Sequence, residues 1–348
     1  MGLLLAVAGC GGGADAPPAS GVLAGTATEA SSLQAIAQPG VSAQAAQPAA
    51  AARRMARPYH RKGVTAIAAG SDGKAVAVAH ADGRIRMLDP ASAGEIKSLK
   101  GPGGAAAVGV VFSNGSRYVI AAGRDSVAYG WRVDTGEPSF TLHGHEHPLR
   151  AAAASADGEL VATAGDETRV LLWNGTTGKL LNALGGHTTF VDSLAFSPNG
   201  QRLASGDELG RILVWDTASG RLLHTLAGHA DEVNALAFSA DGNLLASAAE
   251  DGKVLLWDVA AGRQAHAFTG QQAPVRSLAF DRAGARLAGG AADGHVLVWD
   301  MTTRTLTQDL ARSATGINAV AFAQEDGSSL LAGNETHDVL TWRLPGRR

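Results

Sequence analysis

A single cysteine in 348 residues excludes an internal disulfide framework. Aromatic side chains are 5% of the chain and charged ones 18%, so a core has to come from Leu, Val and Ala with a few Trp. No apolar run reaches the roughly 18–20 residues that cross a bilayer as a helix. The formal net charge of −3 supplies no global basic field, which argues against nucleic acid as a partner. There is no P-loop, no GxSxG and no HExxH. No specific catalytic motif is left. The expectation is a protein that is not an enzyme and holds neither cofactor nor metal.

What the chain has instead is repetition. SAAEDGKVLLWD at 247–258 follows ASGDELGRILVWD, which ends at Asp216, and precedes GGAADGHVLVWD, which ends at Asp300. The residue before that last Asp, or its equivalent, falls at Leu88, Trp131, Trp173, Trp215, Trp257, Trp299 and Trp342, a period of 42 or 43 residues. A fixed period of this length with a terminal Trp-Asp marks propeller blades. Each repeat reads as four short strands. In the fifth, VNALAFSADG turns on Asp241-Gly242 and NLLASAAEDG turns on Asp251-Gly252; KVLLWDVAAG and RQAHAFTG supply the third and fourth strands. One such sheet cannot cover both of its faces. Stacking seven radially covers each face with the next, with Trp as the bulk between blades.

On the period and the repeated Trp-Asp, the chain resembles the WD-repeat β-propeller family over about residues 53–345. The resemblance implies an all-β, seven-bladed propeller of four-stranded antiparallel blades over residues 53–348. After Trp342 too little chain remains for a fourth strand. The segment RRMARPY at 53–59 is therefore expected to close the ring beside the last blade, around Asp338–Leu344.

The family also implies a hydrogen-bonded tetrad of His, Ser or Thr, Asp and Trp. Only the fifth repeat matches in full, at His229, Ser247, Asp251 and Trp257. His60, His145 and His187 keep the His, and Asp82, Asp125 and Asp293 keep the Asp. Glu167 replaces the Asp in the third repeat, Leu209 in the fourth and Thr336 in the seventh, while Gln271 replaces the His in the sixth. Blades one, six and seven are expected to be the less rigid ones. The tetrad is read as structural, because a catalytic triad occurs once and this pattern recurs. HGHEH at 143–147 alternates three His, which on a strand would share one face as a metal site needs. His145 belongs to the tetrad register, however, and the other two read as exposed loop imidazoles.

In such rings the loops of one rim grip protein partners. The rim register holds Arg124, Asp166, Glu208, Glu250 and Glu335 just before the second hairpin. Near the start of the first strand it holds Arg150, Phe190, Asp192, Glu232, Asn234 and Arg276. The surface is acid-rich, with Phe190 as a candidate anchor. An enzyme or small-ligand binder using the central channel is the alternative reading, against which inner strands filled mostly with Ala, Val and Leu count.

The N-terminus, MGLLLAVAGCGGG, resembles a bacterial lipoprotein signal whose lipobox is Val7–Cys10. That resemblance implies a signal peptide at 1–9 and lipid on Cys10. The head would then be a monomer held at the cell envelope, facing the periplasm or the outside; the alternative is a cytoplasmic adaptor. Residues 10–52 are rich in Ala, Gly, Pro and Gln and read as a tether spanning about 35 Å. Arg53, Arg54, Arg57, Arg61 and Lys62 form a basic cluster beside it, read as an edge strand protected by charge.

Overall fold

The runs that alternate small apolar residues between Asp- or Gly-containing turns form strands. The computed structural model describes residues 63–345, apart from 71, 101–104, 114, 311–312 and 324–327. The chain divides into two units, Met1–Arg57 and Pro58–Arg348, and every described residue belongs to the second. The expected signal peptide, Cys10, the tether, the basic cluster and the closing segment 53–59 lie outside the described residues.

Among the described residues the strands form seven antiparallel sheets, six of four strands and a seventh of three. These are the seven blades. Blade five shows the plan. Its inner strand Val233–Phe238 pairs with Leu244–Ala249, then Val254–Asp258, then the outer strand Arg263–Phe268. Gly242 and Gly252 stand at φ of 71° and 77° in the two hairpins, a region that costs glycine little. The Asp of each Trp-Asp has a local task. Asp216 Oδ1 accepts the Ser219 N–H at 2.8 Å, and Asp258 and Asp300 cap the same turn in their blades.

Between each pair of neighbouring blades lies one apolar cluster, and tryptophans fill six of the seven. Trp131 packs between blades one and two, Trp173 between two and three, Trp215 between three and four, Trp257 between four and five, and Trp299 between five and six. All five are buried; Trp342 is half-buried between blades six and seven. Each buried indole removes on the order of 150–250 Å² from water, about 4–6 kcal/mol before entropy is counted. The ring closes in the same way. Val64, Val76, Val78 and Leu88 of blade one pack on Ala319, Ala323 and Leu331 of blade seven. Asn318 Nδ2 donates to the Val64 carbonyl at 2.9 Å across that seam.

Candidate functional site

In every blade the ladder between the inner strand and its neighbour skips one inner-strand residue. The skipped residues are Thr65, Val108, Arg150, Asp192, Asn234, Arg276 and Asn318. A bulge leaves its extra residue unpaired and re-aims the side chain. The first six of these residues line a cavity of about 340 Å³ in the central channel, to which all seven inner strands contribute.

A second register stands beside the first. The backbone N–H groups of Arg124, Asp166, Glu208, Glu250 and Glu335 each bond a carbonyl just ahead of their own inner strand, those of Ala106, Pro148, Phe190, Glu232 and Gly316. This brings the hairpin side chains to the bulge residues. Arg150 is the centre of the largest cluster. Its Nε donates to Asp166, and its Nη1 donates to Asp192 Oδ1 at 2.6 Å and to Glu208 Oε1 at 3.0 Å. The guanidinium also lies 5.0 Å from the centre of the Phe190 ring, so Phe190 is a cation–π partner within the cluster. Arg124 reaches Asp166 at 3.7 Å. Asn234 donates to Glu250 at 3.0 Å. Arg276 bridges blades six and seven through Glu335 at 2.6 Å and Asn318 at 3.0 Å.

Asp192 is the strained member of this group. Its side chain is 6% exposed, and its Oδ2 has no hydrogen-bond partner among the described residues. Burial and the nearby Glu232 charge push its carboxyl up to about 8, against the opposing pull of Arg150. Burial works against the Arg150 charge, but Asp192 and Asp166 outweigh it and raise Arg150 further.

The tetrads pack against the tryptophans in the walls between blades. In blade five His229 Nδ1 meets Asp251, His229 Nε2 meets Ser247 Oγ at 2.7 Å, and the Trp257 indole N–H donates to that Oγ at 2.7 Å. The expectation of one complete tetrad needs correction. Blade four has its own: His187 bonds Asp207 at 2.9 Å and Ser205 at 2.7 Å, and Trp215 donates to Ser205 at 2.9 Å. The carboxylate comes from Asp207 at the strand end, two residues before Leu209. Blade three completes the chain with Glu167, whose longer side chain still reaches His145, and with Thr163 and Trp173. In blade five burial lowers the His229 pKa, with Asp251 opposing; in blade three burial lowers that of His145, with Glu167 opposing.

A family model described as "WD domain, G-beta repeat" matches residues 136–174, 178–216, 220–258 and 262–300. The chain is a WD-repeat β-propeller. Each matched stretch takes the outer strand of one blade and the first three strands of the next. Consecutive WD repeats therefore interlock blades two to six. Blades one, two and seven lie largely outside the matches, yet they carry the same bulge and the same strand order. Among curated proteins none matches the chain.

Other readings of single residues change with the geometry. HGHEH is not a strand: it lies in the connection after Pro138–Leu142, so its three His share no sheet face. His145 turns inward to the tetrad, and His143 bonds Thr141 at 2.9 Å. Asp125 and Asp293 bond Tyr129 and the His295 backbone, and Asp82 bonds Arg84, while His60, its expected tetrad partner, lies outside the described residues. Asn334 takes the Asp207 place in blade seven and donates to Ser313 and Asp338. At the closing seam His80 stacks on His337, Nδ1 to Nδ1 at 3.2 Å, a pair with no signal in the repeat pattern.

Proposed function

We propose that the protein is a non-catalytic, lipid-anchored scaffold of the cell envelope that holds protein partners on the rim carrying the bulge residues. A WD-repeat propeller fits a protein-interaction role. The observation that carries the reading is the division of polar residues. A constellation of His, a carboxylate and a hydroxyl recurs in three successive blades, and each hydroxyl is held between the imidazole and a buried tryptophan. Charged side chains gather instead at one mouth of a stiff ring. The lipobox-like Val7–Cys10 and the Ala-, Gly- and Pro-rich stretch after it support a tethered membrane anchor.

Crosslinking the intact protein in its native membrane, followed by mass spectrometry, tests the scaffold. Links from the rim to other proteins are expected; recovery only as a lone soluble monomer would overturn it. Palmitate labelling tests the anchor, and a label and membrane fraction unchanged by Cys10→Ser would favour the cytoplasmic adaptor. A small-ligand binder is the second reading, favoured by the buried, half-partnered Asp192 at the channel mouth.

A further inference from the structure

Two histidines depart from the repeat, and they meet at the seam that closes the ring. His80 ends the second strand of blade one, Val76–His80, opposite Val64. At that strand end the other blades have Gly, Ala, Asp or Asn, as at Gly123, Ala249, Asp207 and Asn334. His337 stands in the blade-seven hairpin after Ser329–Asn334, where blades one, four, five and six have a glycine. It keeps the left-handed backbone of that glycine, at φ 71°. A residue with a side chain rarely adopts this conformation unless its surroundings hold it there.

The contact His337 makes from that position is with His80. The two Nδ1 atoms are 3.2 Å apart, the ring planes 20° from parallel and the ring centres 5.5 Å apart. At that centre spacing the nitrogens come so close only if each points straight at the other. A metal ion on that line, with bonds of about 2.0–2.1 Å to each nitrogen, would hold them about 4 Å apart. The line therefore holds a proton: one Nδ1–H donates and the other Nδ1 accepts. His80 is 1% exposed, and its Nε2 is buried with no partner among the described residues. His337 is exposed. The seam they span is the one without tryptophan, where Val64, Val76, Val78 and Leu88 meet Ala319, Ala323 and Leu331.

From this geometry we infer that the seam between blades seven and one is an acid-sensitive latch, closed by the single proton that His80 and His337 share and released when further protons are added to the pair. The neutral pair has one arrangement that strands no donor. His80 Nδ1–H donates to His337 Nδ1, and His337 carries its own proton on Nε2. A further proton has two places to go. On His80 Nε2 it puts charge in a buried site with no acceptor. On His337 it reverses the bond, so the His80 proton moves to Nε2 and becomes a buried N–H without a partner. One proton more sets N–H against N–H. Each of these states is relieved when the seam parts and water reaches His80.

Among the described residues, the charged groups that act on His80 from its own blade are Asp82, Arg84 and Arg86; Arg84 pairs with Asp82, and Arg86 with Glu95. The blade-seven hairpin brings His337 with Asp338 and Glu335 beside it. Asp338 is bonded to Asn334 and Thr336, and Glu335 to Arg276. Burial, the largest cause, pushes the His80 pKa down to about 4 from its ordinary 6.5; His337, Arg86 and Arg84 add to the push, and Asp82 opposes it. The unfolded or parted chain therefore binds protons that the closed seam resists. The stability that the latch contributes is present above about pH 6.5 and is lost as pH falls toward 4. Glu335 is also a rim residue that holds Arg276 across blades six and seven, so a parted seam loosens that part of the rim. This consequence rests on the scaffold reading; the latch itself does not.

Hydrogen exchange on the full chain at pH 7 and pH 4.5, corrected for intrinsic rates, tests the latch. Opening of the seam strands Val64–Ala69 and Val76–His80 should rise at least about tenfold more on acidification than opening of Arg286–Ala291 in blade six. His80→Gln removes the buried titrating ring and should abolish most of that excess. His337→Asn removes the exposed ring, tolerates the left-handed backbone, and should reduce the excess. Equal loss of protection at the seam and in blade six, or an excess unchanged in both variants, overturns the proposal. Rim crosslinking at the same two pH values separates the latch from the scaffold. Crosslinks lost only at pH 4.5 support a latch that acts on the rim, and crosslinks absent at both count against the scaffold alone.

Discussion

Blades five and six hold the same tryptophan in different ways. Trp257 donates to Ser247, which bonds His229, which bonds Asp251. Trp299 donates to the Thr269 carbonyl at 3.1 Å instead. Gly289 stands where the hydroxyl would be, and Gln271 donates to the Gly252 and Phe268 carbonyls in place of the His. Both indoles are nevertheless buried, at 2% and 0% exposure. Burial of the ring is therefore the common requirement. The tetrad is one of two ways to satisfy the indole N–H and the loop beside it. Blade six has replaced a side-chain network with backbone acceptors, and its packing has closed around the change.

The largest test of that equivalence is removal of the bulk. Trp257→Ala and Trp299→Ala should each cost about 3–5 kcal/mol, measured by denaturant unfolding, because each leaves a cavity between two blades. A cost confined to Trp257 would show that the network, not the burial, holds the ring. Trp342→Ala should cost clearly less, since that ring is half-buried.

Next is the hydroxyl. Ser247→Ala strands the His229 Nε2 and the Trp257 N–H in a buried wall and should cost about 1–3 kcal/mol. The mirror change, Gly289→Ser, should not stabilise blade six. A Cβ there would stand 2.9 Å from Trp299 Cζ3 and 3.0 Å from Val275 Cγ1, so overpacking of about 1–3 kcal/mol is expected. Gain of stability would mean that blade six is merely an incomplete tetrad.

The protonation of the tetrads separates the blades by pH. Burial lowers the His145 and His229 pKa values in the folded protein. Below about 6.5 the unfolded chain binds protons that the folded blades resist, so stability falls with pH from there. Burial alone would raise Asp207 and Asp251, but their hydrogen bonds from His187 and from the Lys253 and Ala230 backbone hold both low. Their contribution is lost as pH drops below about 4. Native-state hydrogen exchange at pH 7 and pH 5 should show Leu244–Ala249 of blade five losing more protection than Arg286–Ala291 of blade six. Equal loss would break the comparison.

The ring was legible in the chain because its signal is bulk at fixed spacing. Six Trp and Leu88 mark seven layers, and nothing but stacked sheets uses them so. The mouth was legible in part. Register separates the hairpin residues from the first-strand residues, but their mutual bonds did not show. Val191-Asp192-Ser193 reads as plain alternation, and only the ladder reveals that Asp192 is the skipped residue. Clusters that join blades, such as Arg150 with Asp192 and Glu208, pair residues 42 and 58 positions apart that no local pattern links. Asp207 was missed for a related reason. A carboxylate was sought at one fixed position, while a hydrogen bond needs only an oxygen in reach.

The smallest effect tests that last point most sharply. Leu209 is 56% exposed and stands where Asp251 stands in blade five. If position alone made the tetrad, Leu209→Asp would repair blade four. But Asp207 already bonds His187 at 2.9 Å, and its Oδ1 accepts the Leu209 and Arg211 N–H groups at 3.0 Å each. Leu209→Asp should therefore shift stability by no more than about 0.5 kcal/mol, by thermal melting. Asp207→Ala should cost about 1–3 kcal/mol, since it leaves His187 buried with an unmet nitrogen. In that background Leu209→Asp should recover much of the loss, because the blade-five position then becomes the nearest source of a carboxylate. Recovery in the double variant without gain in the single one is the coupling expected of two residues competing for one imidazole.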